Sequence, residues 1–471
     1  MLEKLFTHHI NVPKSEDCLY LNVFAPSWKP KEDQPNGFAV MFWIHGGGFA
    51  VHSAAHYGDY GICKALCTKD VIVVTINYRL GFFGFLATGD EHAPGNYGLW
   101  DQTLALKWVK ENISAFGGDP NNITVFGQSA GGMSTDILAL SPHSRDLFQK
   151  MIPMSGTACC SLISHTAEHV RNACLDFAIG YGFKCPVTDR KSEQNAALVE
   201  FFRKLSPSQL AITMLGKRGF KVNVNGIDLT PIVDGDFLPR PIDELRKEAP
   251  YKICMTGVTE NEGVLFVTLK RPSKVMEEMN ELITVELTKR KIKNIDETKK
   301  KLLHIYCKNI NVNNKVELKR KNIDLVSDVF MNYGTWEYAH KMAKNGHIVY
   351  QYLFEYVNLK GFGILGYIAP MISATHSSDL PYLFLRGIIS KFSPNETDLK
   401  MVEILTTYFT NFAKFGNPNG QPHDEQLWQP LSPNNTTRFF KINFPKSSME
   451  DHIHNGRMEE WNKILSEESS N

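Results

Sequence analysis

The stretch TVFGQSAGG, Thr124 to Gly132, places one serine between glycines two residues away on either side, directly after an apolar run. The pattern G-x-S-x-G marks a strand that turns sharply into a helix. Small flanking residues let two backbone segments pass closely, and the serine oxygen is held above the end of a sheet. ITVFG has the β-branched and aromatic content of a strand, and SAGGMSTDILAL reads as a helix start whose N-terminal dipole favours developing negative charge. The pentapeptide alone leaves a second reading open, a tight turn in which Ser129 only caps the helix.

Outward from this turn, apolar β-rich runs (LYLNVF, VMFWIHG, VIVVTINY, ITVFG) alternate with helical periodicity, as in DQTLALKWVKEN, Asp101 to Asn112. That alternation predicts an α/β fold, a large and mostly parallel central sheet flanked by helices. KICMTGV from Lys252 and HIVYQYLF from His347 resume the sheet after a longer, more helical middle. Between Lys270 and Asp324, Lys-rich clusters punctuate Leu and Ile at helical spacing. Interleaved acidic residues mark these as solvated helical faces, a helical cap rather than a basic recognition patch.

Composition narrows the function classes. Hydrophobic residues make up 43% and charged residues 21% of the 471, the balance of an ordinary globular protein. Lys and Arg number 51 against 50 Asp and Glu, so a net charge of +1 supplies no long-range attraction for nucleic acid or an anionic membrane. The most apolar run, Val71 to Ala87, is broken by Asn77 and Arg79 and is too short and polar to span a bilayer, so no transmembrane segment is expected. The first residues show no secretory h-region. The expectation is a cytoplasmic chain if complete as written, and a secreted or ER-lumenal one if a signal-bearing segment is missing. Nine cysteines without paired CxxC spacing point to reduced thiols rather than a zinc site.

VMFWIHGGGF, Val40 to Phe49, is a strand running into three glycines whose amides can point at an oxyanion. The N–H groups of Gly47, Gly48 and Ala130 are assigned to that oxyanion hole, and a phosphate cradle is disfavoured because no Gly-Lys-Ser/Thr follows. A serine hydroxyl is a poor nucleophile at neutral pH, so the reading requires a histidine base and an orienting carboxylate further along the chain. Glu260 and Glu262 in TENEG stand at a strand end. His304, His340, His347, His376, His423, His452 and His454 follow, and local chemistry does not choose among them.

These residues resemble the type-B carboxylesterases, the cholinesterase-like branch of the α/β-hydrolase superfamily. The resemblance runs through SEDCLYLNVFAP, IHGGGF, VTINYRLGFFGFL, APGNYGLWDQTLALKWVKENISAFGGDPNNITVFGQSAGG, PIVDGDFLP, GVTENEG and FAKFGNPN, in the family's order and over nearly the whole chain. It implies one α/β-hydrolase domain over residues 1–471, with a cap-like helical region around 265–345. It implies Ser129 as nucleophile, Glu262 as acid and His376, in THSSDLPYLF, as base. Arg79 and Asp101 match a structural salt bridge. The implied activity is serine-dependent hydrolysis of small to medium uncharged esters through an acyl-enzyme, with no metal or organic cofactor; the oligomeric state is left open.

Four departures from the family pattern shape that expectation. Gln128 stands where cholinesterases carry Glu, and no Trp precedes SEDC, so a site for quaternary ammonium is not expected. The chain is expected to be N-terminally shortened and to lack the family's small N-terminal sheet, which leaves Glu16 and Cys18 without their family partners. Cys185 faces Phe201 in place of a second cysteine. The alternatives are a non-catalytic adhesion-type member and an inactive truncated esterase.

Overall fold

The computed structural model describes residues 15–32, 34–213, 221–268, 274–308, 310–311, 313–358, 371–388, 391–421 and 427–469. Among these, the strands are β1 (Leu21–Phe24), β2 (Phe38–Ile44), β3 (Val71–Ile76), β4 (Gly118–Gln128), β5 (Lys150–Met154), β6 (Ile253–Thr259), β7 (Ile348–Phe354), β8 (Arg438–Ile442) and β9 (Ser448–Asp451). They form a single sheet in the order β1-β3-β2-β4-β5-β6-β7-β8-β9. Pairing is parallel from β3 through β8, and the outermost strands β1 and β9 join antiparallel.

The interior of the sheet is fully covered, which is why β2 and β3 read as unbroken apolar runs: all seven residues of β2 and all six of β3 are buried. The two-residue period of a strand divides β2 between two cores. Phe38, Val40, Phe42 and Ile44 face one of them, and Ala39, Met41 and Trp43 the other. Trp43 sits among Tyr57, Phe126 and Phe384, with ring centroids 5.0, 4.8 and 4.7 Å away.

The helices that cover these faces and matter below are α1 (Tyr97–Asn112), α2 (Ala130–Leu140), α3 (Ile242–Glu248), α4 (Val275–Lys289), α5 (Ile295–Cys307), α6 (Lys315–Ser327), α7 (Tyr333–Lys344), α8 (Glu396–Phe415) and α9 (Arg457–Ser469). α1 and α2 lie on the Phe42 side and α8 on the Trp43 side. Local sequence sets the limits of α8. Asn395 Oδ1 accepts the Asp398 N–H (2.9 Å) while Asp398 Oδ2 accepts the Asn395 N–H (2.8 Å), and Gly416 ends the helix at φ 69°. Between these ends Met401, Leu405, Phe409 and Phe412 recur at helical spacing and are buried.

α4 to α7 form the helical segment after β6; Lys299 and Lys321 pair with Asp296 and Asp324 on its outer faces, whereas Lys289 turns inward to the carbonyls of Ser161 and Asn225 (2.8 and 2.6 Å). A buried network fastens this segment to the C-terminal helix. Arg457 donates to both oxygens of Asp328 (2.7 and 3.0 Å), Tyr306 donates to Asp328 (2.7 Å), and the Trp461 indole donates to Tyr306 (2.8 Å). A second buried pair, Arg246 with Asp136, holds α3 to α2 through two bonds of 2.8 Å.

Candidate active site

Parallel pairing places the C-terminal ends of β2, β4, β5, β6 and β7 along one edge of the sheet, where the segments that follow them meet. Ser129 follows β4 and precedes α2 at φ 59°, ψ −125°. A non-glycine residue holds such a conformation only when its surroundings impose it, at a cost of about 1–3 kcal/mol. Here the crossing of β4 and α2 imposes it: a Cβ on Gly127 would lie 2.4 Å from the Gly131 carbonyl oxygen, and one on Gly131 would lie 2.0 Å from that of Ile44. The Ser129 N–H donates to the Met154 carbonyl (2.9 Å), which ties the turn to the end of β5.

Ile44 at the end of β2 pairs with Gly127, so the glycine loop begins beside the serine turn. Gly47 and Gly48 have φ of 109° and 59°, and a Cβ on Gly46 would approach the Ser129 Cβ to 3.1 Å. Among the described residues the N–H groups of Gly47, Gly48 and Ala130 have no hydrogen-bond acceptor. Three donors left open beside a serine are what an oxyanion requires.

Glu262, fully buried, lies just past β6. Its Oε2 stands 2.5 Å from His376 Nδ1, and its Oε1 accepts the Ser155 hydroxyl (2.6 Å) and the Thr259 N–H (2.7 Å). Burial alone would raise this carboxyl. The His376 charge and these hydrogen bonds outweigh burial and hold it below the usual 4.5. Nδ1–H of His376 donates to this carboxylate, and in the neutral ring that leaves Nε2 with the lone pair. That Nε2 lies 3.2 Å from the Gln128 amide nitrogen, while Ser129 Oγ makes no hydrogen bond among the described residues. The Phe266 ring covers the imidazole at 5.2 Å.

Of the two carboxylates in TENEG, Glu262 meets the imidazole; Glu260 is pushed up by burial and by Glu355, and its N–H bonds the Phe354 carbonyl. The other candidate histidines are engaged elsewhere. His340 bonds the carbonyls of Trp336 and Thr436, His347 accepts the Lys252 N–H, His452 lies beside Glu459, and His454 is half-buried. His304 belongs to α5, and His423 lies outside the described residues, as does the N-terminal stretch 1–14. Arg79 and Asp101 form the bidentate bridge, at 2.8 and 2.7 Å. All nine cysteines, Cys18 and Cys185 included, are unpaired.

Sequence reasoning missed three participants. Ser155 follows β5, and its position directly after a strand is the one local signal it gives. Ser377 donates to the Gln128 carbonyl oxygen (3.0 Å). Asp379, three residues beyond His376, is buried with neither carboxylate oxygen hydrogen-bonded among the described residues; burial and Glu262 push it up to about 7. No group of three or more His, Cys, Asp or Glu among the described residues could hold a metal ion, and no described helix is long and apolar enough to cross a membrane.

The sequence matches a family model described as the carboxylesterase family over residues 2–461. It is 43% identical over 454 residues to Esterase cest-33 of Caenorhabditis elegans, covering 96% of this chain and 80% of that protein. It is 31% identical over 444 residues to the bile salt-activated lipase of Homo sapiens (89% and 56%) and 30% identical over 436 residues to liver carboxylesterase 1 of Oryctolagus cuniculus (89% and 74%).

Proposed function

The chain belongs to the carboxylesterase family and is a carboxylic-ester hydrolase of α/β-hydrolase fold, and on that premise we propose that Ser129, His376 and Glu262 carry the reaction. Ser129 Oγ attacks the ester carbonyl carbon as its proton passes to His376 Nε2, and the carbonyl electron pair moves onto oxygen. The N–H groups of Gly47, Gly48 and Ala130 receive that oxyanion; losing one such donor costs about 3 kcal/mol of transition-state stabilisation. When the intermediate collapses the bond to the leaving oxygen breaks, the alcohol takes the proton from His376, and an acyl-serine remains. Water, deprotonated by the same imidazole, then releases the acid. Glu262 holds the ring in the tautomer that this requires and stabilises the imidazolium.

The observation that carries the reading is the buried Glu262–His376 pair at 2.5 Å, beside a serine held at φ 59°. Small to medium uncharged esters are the proposed substrates. Gln128 contributes no carboxylate beside the nucleophile, and an apolar ring, Phe266, lies against the base. The proposed catalytic unit is one domain over 1–471, with residues 265–345 as its cap. The test is release of p-nitrophenol from acetate and butyrate esters by the full chain: Ser129→Ala should abolish turnover, and unchanged turnover would end the assignment.

A further inference from the structure

Gln128 and Ser377 are joined to the base by an arrangement that the acyl-transfer steps do not use. Gln128 is buried at 2% exposure, and its two amide ends have distinct partners. Its nitrogen faces His376 Nε2 at 3.2 Å, and its carbonyl oxygen accepts the Ser377 hydroxyl at 3.0 Å. With Nδ1–H donating to Glu262, the neutral ring presents a lone pair at Nε2, and only the amide N–H end of Gln128 satisfies it. Ser377 holds φ at 69°, in the left-handed region that favours glycine. A serine kept there at some conformational cost needs a compensating contact, and the hydroxyl bond to Gln128 is one.

The geometry points to a positioning clamp: Gln128, oriented by Ser377, donates to the lone pair of His376 Nε2 and so holds the resting base neutral until the Ser129 proton displaces it. This rests on the assignment of His376 as base. A donor to the neutral imidazole opposes its protonation, so the clamp extends activity toward mildly acidic pH. The other titratable groups facing the pair are Glu262 on Nδ1, the buried Asp379 on the same loop, itself pushed up to about 7, Tyr352 on β7, whose phenol senses both carboxylates, and His454, whose ring senses Glu262.

The experiment is the pH dependence of Ser129 phosphonylation by a fluorophosphonate, which requires no knowledge of the natural ester. A P–O bond forms to Ser129 Oγ, the P–F bond breaks, fluoride leaves, and His376 takes the serine proton. In Gln128→Met the acid limb of the rate profile should move up by roughly half to one pH unit, the range that one neutral hydrogen bond supplies. Ser377→Gly, which suits φ 69° and so keeps the fold, should shift the limb the same way by less. The double variant should go no further than Gln128→Met, because Ser377 acts through Gln128. Gln128→Glu, able to accept from the imidazolium, should move the limb furthest.

A Gln128→Met limb coincident with wild type would overturn the clamp while leaving the triad standing. If that variant does not fold, an unshifted limb in Ser377→Gly overturns it instead. Equal labelling of Ser129→Ala and wild type, or no labelling of wild type, would overturn the triad, and the clamp with it.

Discussion

Gly131→Ala puts the coupling between backbone packing and chemistry under direct test. The added methyl would sit 2.0 Å from the Ile44 carbonyl oxygen, whereas real Cβ atoms essentially never come within 3.0 Å of such a neighbour. Neither side yields easily. Ile44 pairs with Gly127 in the sheet interior, and α2 is buried along its whole length. The start of α2 must therefore move by about 1 Å and carry Ser129 with it. Overpacking of this kind typically costs about 1–3 kcal/mol of stability, and a misplacement of about 1 Å can cost about 10²-fold in rate.

Both readouts are accessible, kcat/KM on p-nitrophenyl butyrate and the urea midpoint. Gly180→Ala is the control, since nothing lies within 4 Å of a Cβ there; it should gain about 0.4–1 kcal/mol with activity intact. A folded Gly131→Ala enzyme with wild-type kcat/KM would contradict this coupling, because it would show that the turn tolerates separation from β2.

Three further outcomes are expected. Arg246→Met strands the Asp136 carboxylate in a site where both side chains are at most 2% exposed; it should lower urea stability by about 3–5 kcal/mol, and adding Asp136→Leu should restore much of the loss. Glu262→Gln should cut kcat by roughly 10²–10⁴-fold with KM little changed. Because the Glu262 carboxyl is held below 4.5, it contributes stability above that pH which is lost as pH falls through its folded value, so the variant should show a shallower acid loss in urea titrations than wild type. His45 and His454 are held near 4 by burial against a usual 6.5, so the unfolded chain binds their protons first. Stability should then fall from pH 6.5 toward 4 by about 1.4 kcal/mol per pH unit for each group, and a urea midpoint constant over that window would contradict this.

The clearest strand readings are runs the sheet buries on both faces, although LYLNVF, which also read as a strand, forms the half-exposed edge strand β1. FAVMFWI and VIVVTI carry an unbroken apolar signal because no residue in them meets water. KMIPM, RFFKI and SMED form β5, β8 and β9 with charged or proline residues inside them, and only pairing with neighbours gives them strand character. The glycine spacing around Ser129 was legible because the close approach of β4 and α2 demands small residues at fixed offsets. His376 was not distinguishable from its rivals by local pattern; it lies on a loop, 114 residues from Glu262, and the family resemblance singled it out. Ser155, Ser377 and Asp379 had no such help, since a hydroxyl or carboxyl becomes significant only through partners that distant parts of the chain supply.

That wide separation also sets a timetable for synthesis. The strained serine and its glycine loop belong to the first third of the chain, but His376 comes 248 residues after Gln128. At translation rates of about 5–20 residues per second, roughly 12–50 s pass between the two. For that interval a growing chain displays the serine as an ordinary alcohol with no base to activate it, although the acid, Glu262, is made 114 residues before His376. The reagent is thus made first and armed last, and an unfinished chain does not acylate itself on the esters around it.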